Sequence, residues 1–202
     1  MYKKYLAEFL GTFTLSLVVL LVVATGGPGV VGAIVASITL GLFVYTIGPI
    51  SGCHINPAVT FAQMAVKKIT PKETVMYIAA QFLGALLALL VSGVFNPIQS
   101  LPVQGSFEIK PFIAEVLGTL LFVFGIASVV YGKAKEQMSG FVVGGSLLLG
   151  VLVSSLSGAM GILNPAVAVV LNYSSINLTV MYVVAPVVGA VCGFGLYKFL
   201  SE

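Results

Sequence analysis

One tetrapeptide occurs twice in this chain, and its two positions restrict the possible folds more than any other feature. Asn56-Pro57-Ala58-Val59 returns as Asn164-Pro165-Ala166-Val167, an offset of 108. Ala7-Glu8-Phe9-Leu10-Gly11-Thr12 returns as Ala114-Glu115-Val116-Leu117-Gly118-Thr119, an offset of 107. Two matches at nearly one offset mark a duplicated unit. Each unit contains three apolar stretches of about 18 to 23 residues, long enough at 1.5 Å per residue to cross roughly 30 Å of hydrocarbon. The six run approximately Tyr5–Thr25, Val30–Ile50, Thr74–Val94, Phe112–Tyr131, Gly140–Leu156 and Leu178–Leu200. An odd number of spans per unit turns the second copy upside down, giving an inverted repeat about an axis in the membrane plane.

Composition supports a membrane protein and excludes other classes. Hydrophobic residues are 59% and charged residues 7%, against about 45–50% and about 25% in soluble domains. The net charge of +3 comes without a basic tract, so nucleic acid is not an expected partner. Two cysteines, Cys53 and Cys192, both in apolar sequence, do not make a disulfide scaffold. The first stretch could be taken for a secretory signal after Lys3 and Lys4, but it is long for that and contains Glu8. The expected fold class is therefore an all-α membrane protein of six transmembrane helices in a 3+3 inverted repeat. Residues 1–94 form the first repeat, 95–110 an extracellular connecting loop with Pro97, Pro102 and Gly105, and 111–202 the second repeat. All nine basic residues are lysines. Lys3, Lys4, Lys67, Lys68, Lys72, Lys133, Lys135 and Lys198 fall on one side and Lys110 on the other, which places both termini in the cytoplasm.

Each Asn-Pro-Ala follows the second span of its unit and precedes an apolar stretch too short to cross. Asparagine is a good N-cap and proline a favoured first helical residue, so both segments read as helix starts. Helices of about 11 and 9 residues would be roughly 16 and 14 Å long, together one membrane thickness. Entering from opposite faces as re-entrant half-helices, they would meet N-terminus to N-terminus near the midplane. The loops leading to them carry amides without intrahelical partners, a costly arrangement in lipid. Glu8 and Glu115, one per unit at matching positions, are candidates to accept hydrogen bonds from those amides, and paired scaffolding is favoured over a proton relay. Asn56 and Asn164 would then face a shared cavity as hydrogen-bond donors, while two positive helix ends repel cations.

With these motifs in place, the sequence resembles the aquaporins, the major intrinsic protein family. The resemblance covers nearly the whole chain. It rests on Ala7–Thr12, Ser51-Gly52-Cys53-His54-Ile55-Asn56-Pro57-Ala58-Val59-Thr60, Gln81-Phe82-Leu83-Gly84-Ala85, the second Glu-x-x-Gly-Thr at Glu115, the second Asn-Pro-Ala, and Ala185-Pro186-Val187-Val188-Gly189-Ala190. It implies a homotetramer in the plasma membrane with one pore per subunit, passive conduction of water or small neutral solutes, no cofactor, and Asn56 and Asn164 as midplane donors. It also puts His54 near the cytoplasmic mouth, where protonation could alter conduction; the competing reading is a histidine that only packs the loop. Gln81 is assigned to loop scaffolding.

The chain departs from the family at the outer constriction. Most members have an arginine after the second Asn-Pro-Ala; here Val167 stands there, and the chain has no arginine. An always-charged group with five donors is replaced by a side chain with none. Counting back from Asn56 puts Ala36 at the usual aromatic position of the second span. The fifth-span position is Leu152 counted back from Asn164, or Gly150 if Ser157-Gly158 corresponds to Ser51-Gly52 with a two-residue insertion; the loop position is correspondingly Gly161 or Ala159. An apolar ring of Ala36, Gly150 or Leu152, Gly161 and Val167 favours an aquaglyceroporin-like pore, permissive for glycerol, urea, ammonia or neutral metalloid acids. A secondary transporter would place titratable side chains at the midplane. An intramembrane enzyme would need a catalytic constellation, and the chain has one histidine and no aspartate. A non-conducting structural member of the same fold would be credible with Leu152 opposite Val167. Gly11, Gly84, Gly118, Gly144, Gly145 and Gly189 are expected at close helix crossings, and Tyr131, Tyr182 and Tyr197 as interfacial anchors.

Overall fold

In the computed structural model, which describes residues 2–26, 29–96, 108–171 and 176–202, with the side chains of 176–180 excepted, eight α-helices follow one another. The first unit supplies α1 (Lys3–Ala24), α2 (Gly29–Ser51), α3 (Pro57–Ala65) and α4 (Pro71–Phe95). The second supplies α5 (Ile109–Val130), α6 (Ser139–Leu156), α7 (Pro165–Leu171) and α8 (Ile176–Ser201). Six of them are long and apolar enough to cross a membrane, and the chain is an integral membrane protein. The connecting segment with Pro97, Pro102 and Gly105 lies outside the described residues.

The half-helices begin as their sequences dictate. Asn56 is extended and its Oδ1 accepts from Ala58 N at 2.9 Å, with Pro57 as the first helical residue. Asn164 Oδ1 accepts from Ala166 N at 3.0 Å, ahead of Pro165. At 1.5 Å per residue α3 is about 14 Å long and described α7 about 10 Å, so neither can cross alone. The two touch, and each packs on spanning helices of the opposite unit: α3 on α8, and α7 on α1 and α4.

Packing between spans relies on small residues, because apolar side chains gain nothing by leaving lipid for one another. α1 lies on α4 as α5 lies on α8. A side chain at Gly84 would strike the carbonyl of Phe9, and one at Gly189 that of Val116. The seam between the units is α2 on α6, where Gly41 and Gly144 let the two backbones meet. Gly145 does not belong to such a crossing; nothing lies within 4 Å of where its Cβ would be. Tyr182 also differs from expectation. It is 3% exposed and accepts a hydrogen bond from Met160 N, because the loop before α7 folds over it.

Candidate functional site

The two asparagines are held at the meeting point of α3 and α7. Asn56 Nδ2 donates to Leu163 O at 2.8 Å, and Asn164 Nδ2 donates to Ile55 O at 2.9 Å. Each side chain thus caps its own helix with its oxygen and ties itself to the opposite loop with its nitrogen. An NH₂ group has two hydrogens. One is used across the junction, and the other remains for the cavity that both residues line.

Each loop hangs from one fully buried carboxylate. Glu8 Oε1 accepts from Ser51 Oγ (2.7 Å) and His54 N (3.0 Å); its Oε2 accepts from Ile55 N (2.6 Å) and Gln81 Nε2 (2.8 Å). Glu115 Oε1 accepts from Ser154 Oγ (2.9 Å) and Ile162 N (3.0 Å), and its Oε2 from Leu163 N (2.9 Å). Amides that point away from any helix ladder therefore find carboxyl oxygens as acceptors at a depth where no lipid group could replace them. Both loops need such a clamp, since Ile55 and Leu163 are non-glycine residues at positive φ, 36° and 52°.

Thr60 and Tyr77 belong to the first clamp, although sequence reasoning assigned neither a role. Thr60 Oγ1 sits 3.1 Å from His54 Nδ1, accepts from Gln81 Nε2 at 2.9 Å and donates to Asn56 O at 3.0 Å. Tyr77 donates to Ser51 O at 2.7 Å and packs its ring against His54. His54 is 4% exposed and lies in the cavity wall two residues from Asn56.

A cavity of about 130 Å³ runs from the asparagine pair toward the face opposite the termini, ending by Val23 and Gly29. Roughly 10–15 Å³ suffices for one water. Among the described side chains of its wall only His54, Asn56 and Asn164 are polar; the rest are apolar, including Leu15, Leu40, Phe122 and Leu147. Ala36, Gly161 and Val167 line it. Gly150 and Leu152 do not, and the residue between them, Val151, takes that place. Gly150 is turned instead into the α5 crossing, where a Cβ would meet Gly118 O.

The reason is a longer loop than the serine-glycine match suggested. The serine that caps Glu115 is Ser154, ten residues before Asn164, whereas Ser51 stands five before Asn56. Ser157 and Gly158, expected to play the parts of Ser51 and Gly52, are exposed. The extra residues lie between Ser154 and Met160, so the expected two-residue insertion is corrected to a larger one. The matched loop positions, Cys53 with Gly161 and Ile55 with Leu163, are all at positive φ, so the two loops correspond up to their asparagines and differ only upstream.

An α-helical membrane protein built from two inverted units, with re-entrant half-helices meeting on a buried cavity, is the class this geometry defines. Comparison with known proteins gives the family. The profile described as Major intrinsic protein matches residues 1–109 and 102–202. Aquaporin AqpM of Methanothermobacter marburgensis is 33% identical over 99% of this chain and 98% of that protein. Aquaporin Z of Rhodopseudomonas palustris is 35% identical over 98% of this chain and 93% of its own length. The solved aquaglyceroporin from Plasmodium falciparum shares the fold, with a TM-score of 0.74 at 20% identity, covering 97% of this chain and 95% of that one. The chain belongs to the major intrinsic protein family.

Proposed function

We propose that this chain is a passive channel for water and small uncharged solutes such as glycerol, urea, ammonia or neutral metalloid acids. The observation that carries the reading is the pair of asparagine amides, one from each inverted unit, each keeping one N–H for a cavity that is otherwise apolar. A water or hydroxyl oxygen at the junction accepts from both, and a cation meets the positive ends of α3 and α7 and is repelled. Ala36, Gly161 and Val167 form the outer constriction, with Val151 as the fifth-span member. Without a guanidinium there, the constriction offers little to replace a water's hydrogen bonds and leaves room for a larger solute. His54 serves at the inner side of the junction, where Thr60 orients its ring.

The free space beside Val151 and Val167 favours conduction over a sealed, purely structural role. Asparagines rather than titratable groups at the junction favour a channel over an ion-coupled transporter. The two units (1–94 and 111–202) act as symmetric halves around the junction. The channel assembles as a homotetramer in the plasma membrane, with both termini cytoplasmic. The test is swelling of liposomes bearing the protein under iso-osmotic gradients of glycerol and urea, with no ion gradient. Swelling faster than in empty liposomes supports the proposal. Fast osmotic water flux with no swelling in either solute contradicts the permissive pore, and solute entry that requires a proton or sodium gradient contradicts the channel.

A further inference from the structure

Thr60 Oγ1 is the meeting point of three hydrogen bonds, and the use of its one hydrogen decides where the ring proton of the single histidine sits. A threonine hydroxyl has one hydrogen to give and two lone pairs to receive with. Gln81 Nε2 spends its two hydrogens on Glu8 Oε2 (2.8 Å) and on Thr60 Oγ1 (2.9 Å), and the second fills one lone pair. Thr60 in turn donates to Asn56 O at 3.0 Å, one turn back along its own helix. With its hydrogen committed there, Thr60 meets His54 Nδ1, 3.1 Å away, only as an acceptor. Nδ1 therefore carries the ring proton and Nε2 is bare, because in a neutral imidazole one nitrogen donates and the other accepts.

The opposite assignment, with Thr60 donating to Nδ1, is poorer by one bond. It leaves Thr60 Oγ1 and Asn56 O as two acceptors facing each other at 3.0 Å. On the cavity side, water can meet Nε2 as a donor or as an acceptor, so the Thr60 side makes the choice. One net hydrogen bond favours the proton on Nδ1 by about fivefold.

Nε2 is open to the passage. His54 belongs to the cavity wall, and among the described residues no protein group meets Nε2. Nor is it one of the sealed side-chain atoms without a partner, which are Ser16 Oγ, Ser37 Oγ and Gln81 Oε1. Gly52, at a φ of 85°, makes the space: a side chain there would begin 3.3 Å from Nε2. Tyr77 holds the ring in place, with centroids 5.0 Å apart. The side-chain oxygens of Asn56 and Asn164 are spent on their own helix starts, so among the described side chains of the wall Nε2 is the acceptor that remains.

We propose that His54 Nε2 is the side-chain acceptor of the pore, taking a hydrogen from a passing water or hydroxyl beside the two asparagine donors, and that Thr60 is the positioning residue that keeps this nitrogen bare. What passes rests on the channel reading above; the location of the proton does not.

The test is solid-state nitrogen NMR of the full chain in liposomes at neutral pH, labelled at histidine; one histidine gives one imidazole. Wild-type protein should show a protonated Nδ1 and a bare Nε2 that receives magnetisation from water. Thr60→Val, which sets a methyl group against Nδ1, should move the proton to Nε2 and slow water entry about fivefold. Thr60→Ser, which keeps the hydroxyl, should restore both. A protonated Nε2 in the wild type, on a neutral or a doubly protonated ring, overturns the proposal, and that spectrum needs no variant to fold. So does a bare Nε2 out of reach of water, a Thr60→Val ring with its proton still on Nδ1, or water entry unchanged once the proton has moved. A purely structural Thr60 would lower the melting temperature when replaced and leave the proton where it was. Wild-type liposomes no more permeable than empty ones would contradict the channel reading instead, while the spectrum still decides the proton.

Discussion

The two loops that lead into the asparagine junction solve one problem with different amounts of chain. Before α3 the first unit uses residues 52–56; before α7 the second uses 157–164. In both, a buried glutamate from the first helix of the unit accepts from two loop amides and from a serine at or near the end of the preceding helix. The first unit adds Gln81, whose amide bridges Glu8 and Thr60. Counted from the Gly84–Gly189 match, the position equivalent to Gln81 holds Pro186, which has no side-chain donor. The second unit adds Tyr182, which accepts from Met160 N and pins the longer loop. The carboxylate clamp is therefore the shared element, and what surrounds it is free to vary. Part of the longer second loop, Met160 to Ile162, reaches the cavity wall, whereas Gln81 and Tyr182 stay behind it.

The largest expected effects come from removing the clamp itself. Glu8→Leu or Glu115→Leu leaves two buried loop amides without acceptors, at about 1–3 kcal/mol each. Either variant is expected to lose the monodisperse folded protein in detergent. With Glu8→Gln and Glu115→Gln the halves separate: the first should lower the melting temperature more, because its new amide opposes Gln81 Nε2 as well as the loop. Equal shifts would show that Gln81 adds nothing to the first clamp.

Gln81→Met tests the same asymmetry from the other partner. It removes hydrogen bonds to Glu8 and Thr60, with an expected loss of about 1–3 kcal/mol, as for a buried polar group left without its partner, read from thermal unfolding. Stability matching the wild type would make the bridge dispensable. The smallest effect is expected for Tyr182→Phe, about 1 kcal/mol. It should appear chiefly as faster hydrogen exchange at Met160 in the longer loop, while exchange at His54 and Ile55 stays as in wild type. Faster exchange in both loops would contradict their independence.

Much of the architecture was legible in the sequence because its signals are short-range or repeated. Six apolar stretches, two Asn-Pro helix starts and a pair of matched glutamates each carry a local physical meaning that needs no knowledge of tertiary packing. The fifth-span register was not legible in the same way. Ser157-Gly158 looks like Ser51-Gly52, yet Ser154 reaches Glu115, because the choice among three serines in one stretch is made by where α6 ends. Tyr182 was misjudged for a related reason. Its position near a span end fits an interfacial anchor, but a loop three residues longer than its counterpart covers it. Thr60 is plain in the sequence; that its hydroxyl joins His54 to Gln81 follows from a different helix reaching the loop.

Val167 is where the loop comparison reaches function most directly, and stopped-flow light scattering of liposomes carrying wild-type protein or Val167→Arg measures it. The expected result is rapid water and glycerol entry for the wild type. For Val167→Arg, glycerol entry should fall about tenfold or more while water entry falls less, as a guanidinium narrows the apolar opening. Wild-type liposomes no more permeable than empty ones, or an arginine variant that slows water and glycerol equally, would contradict a solute-conducting passage controlled at that residue.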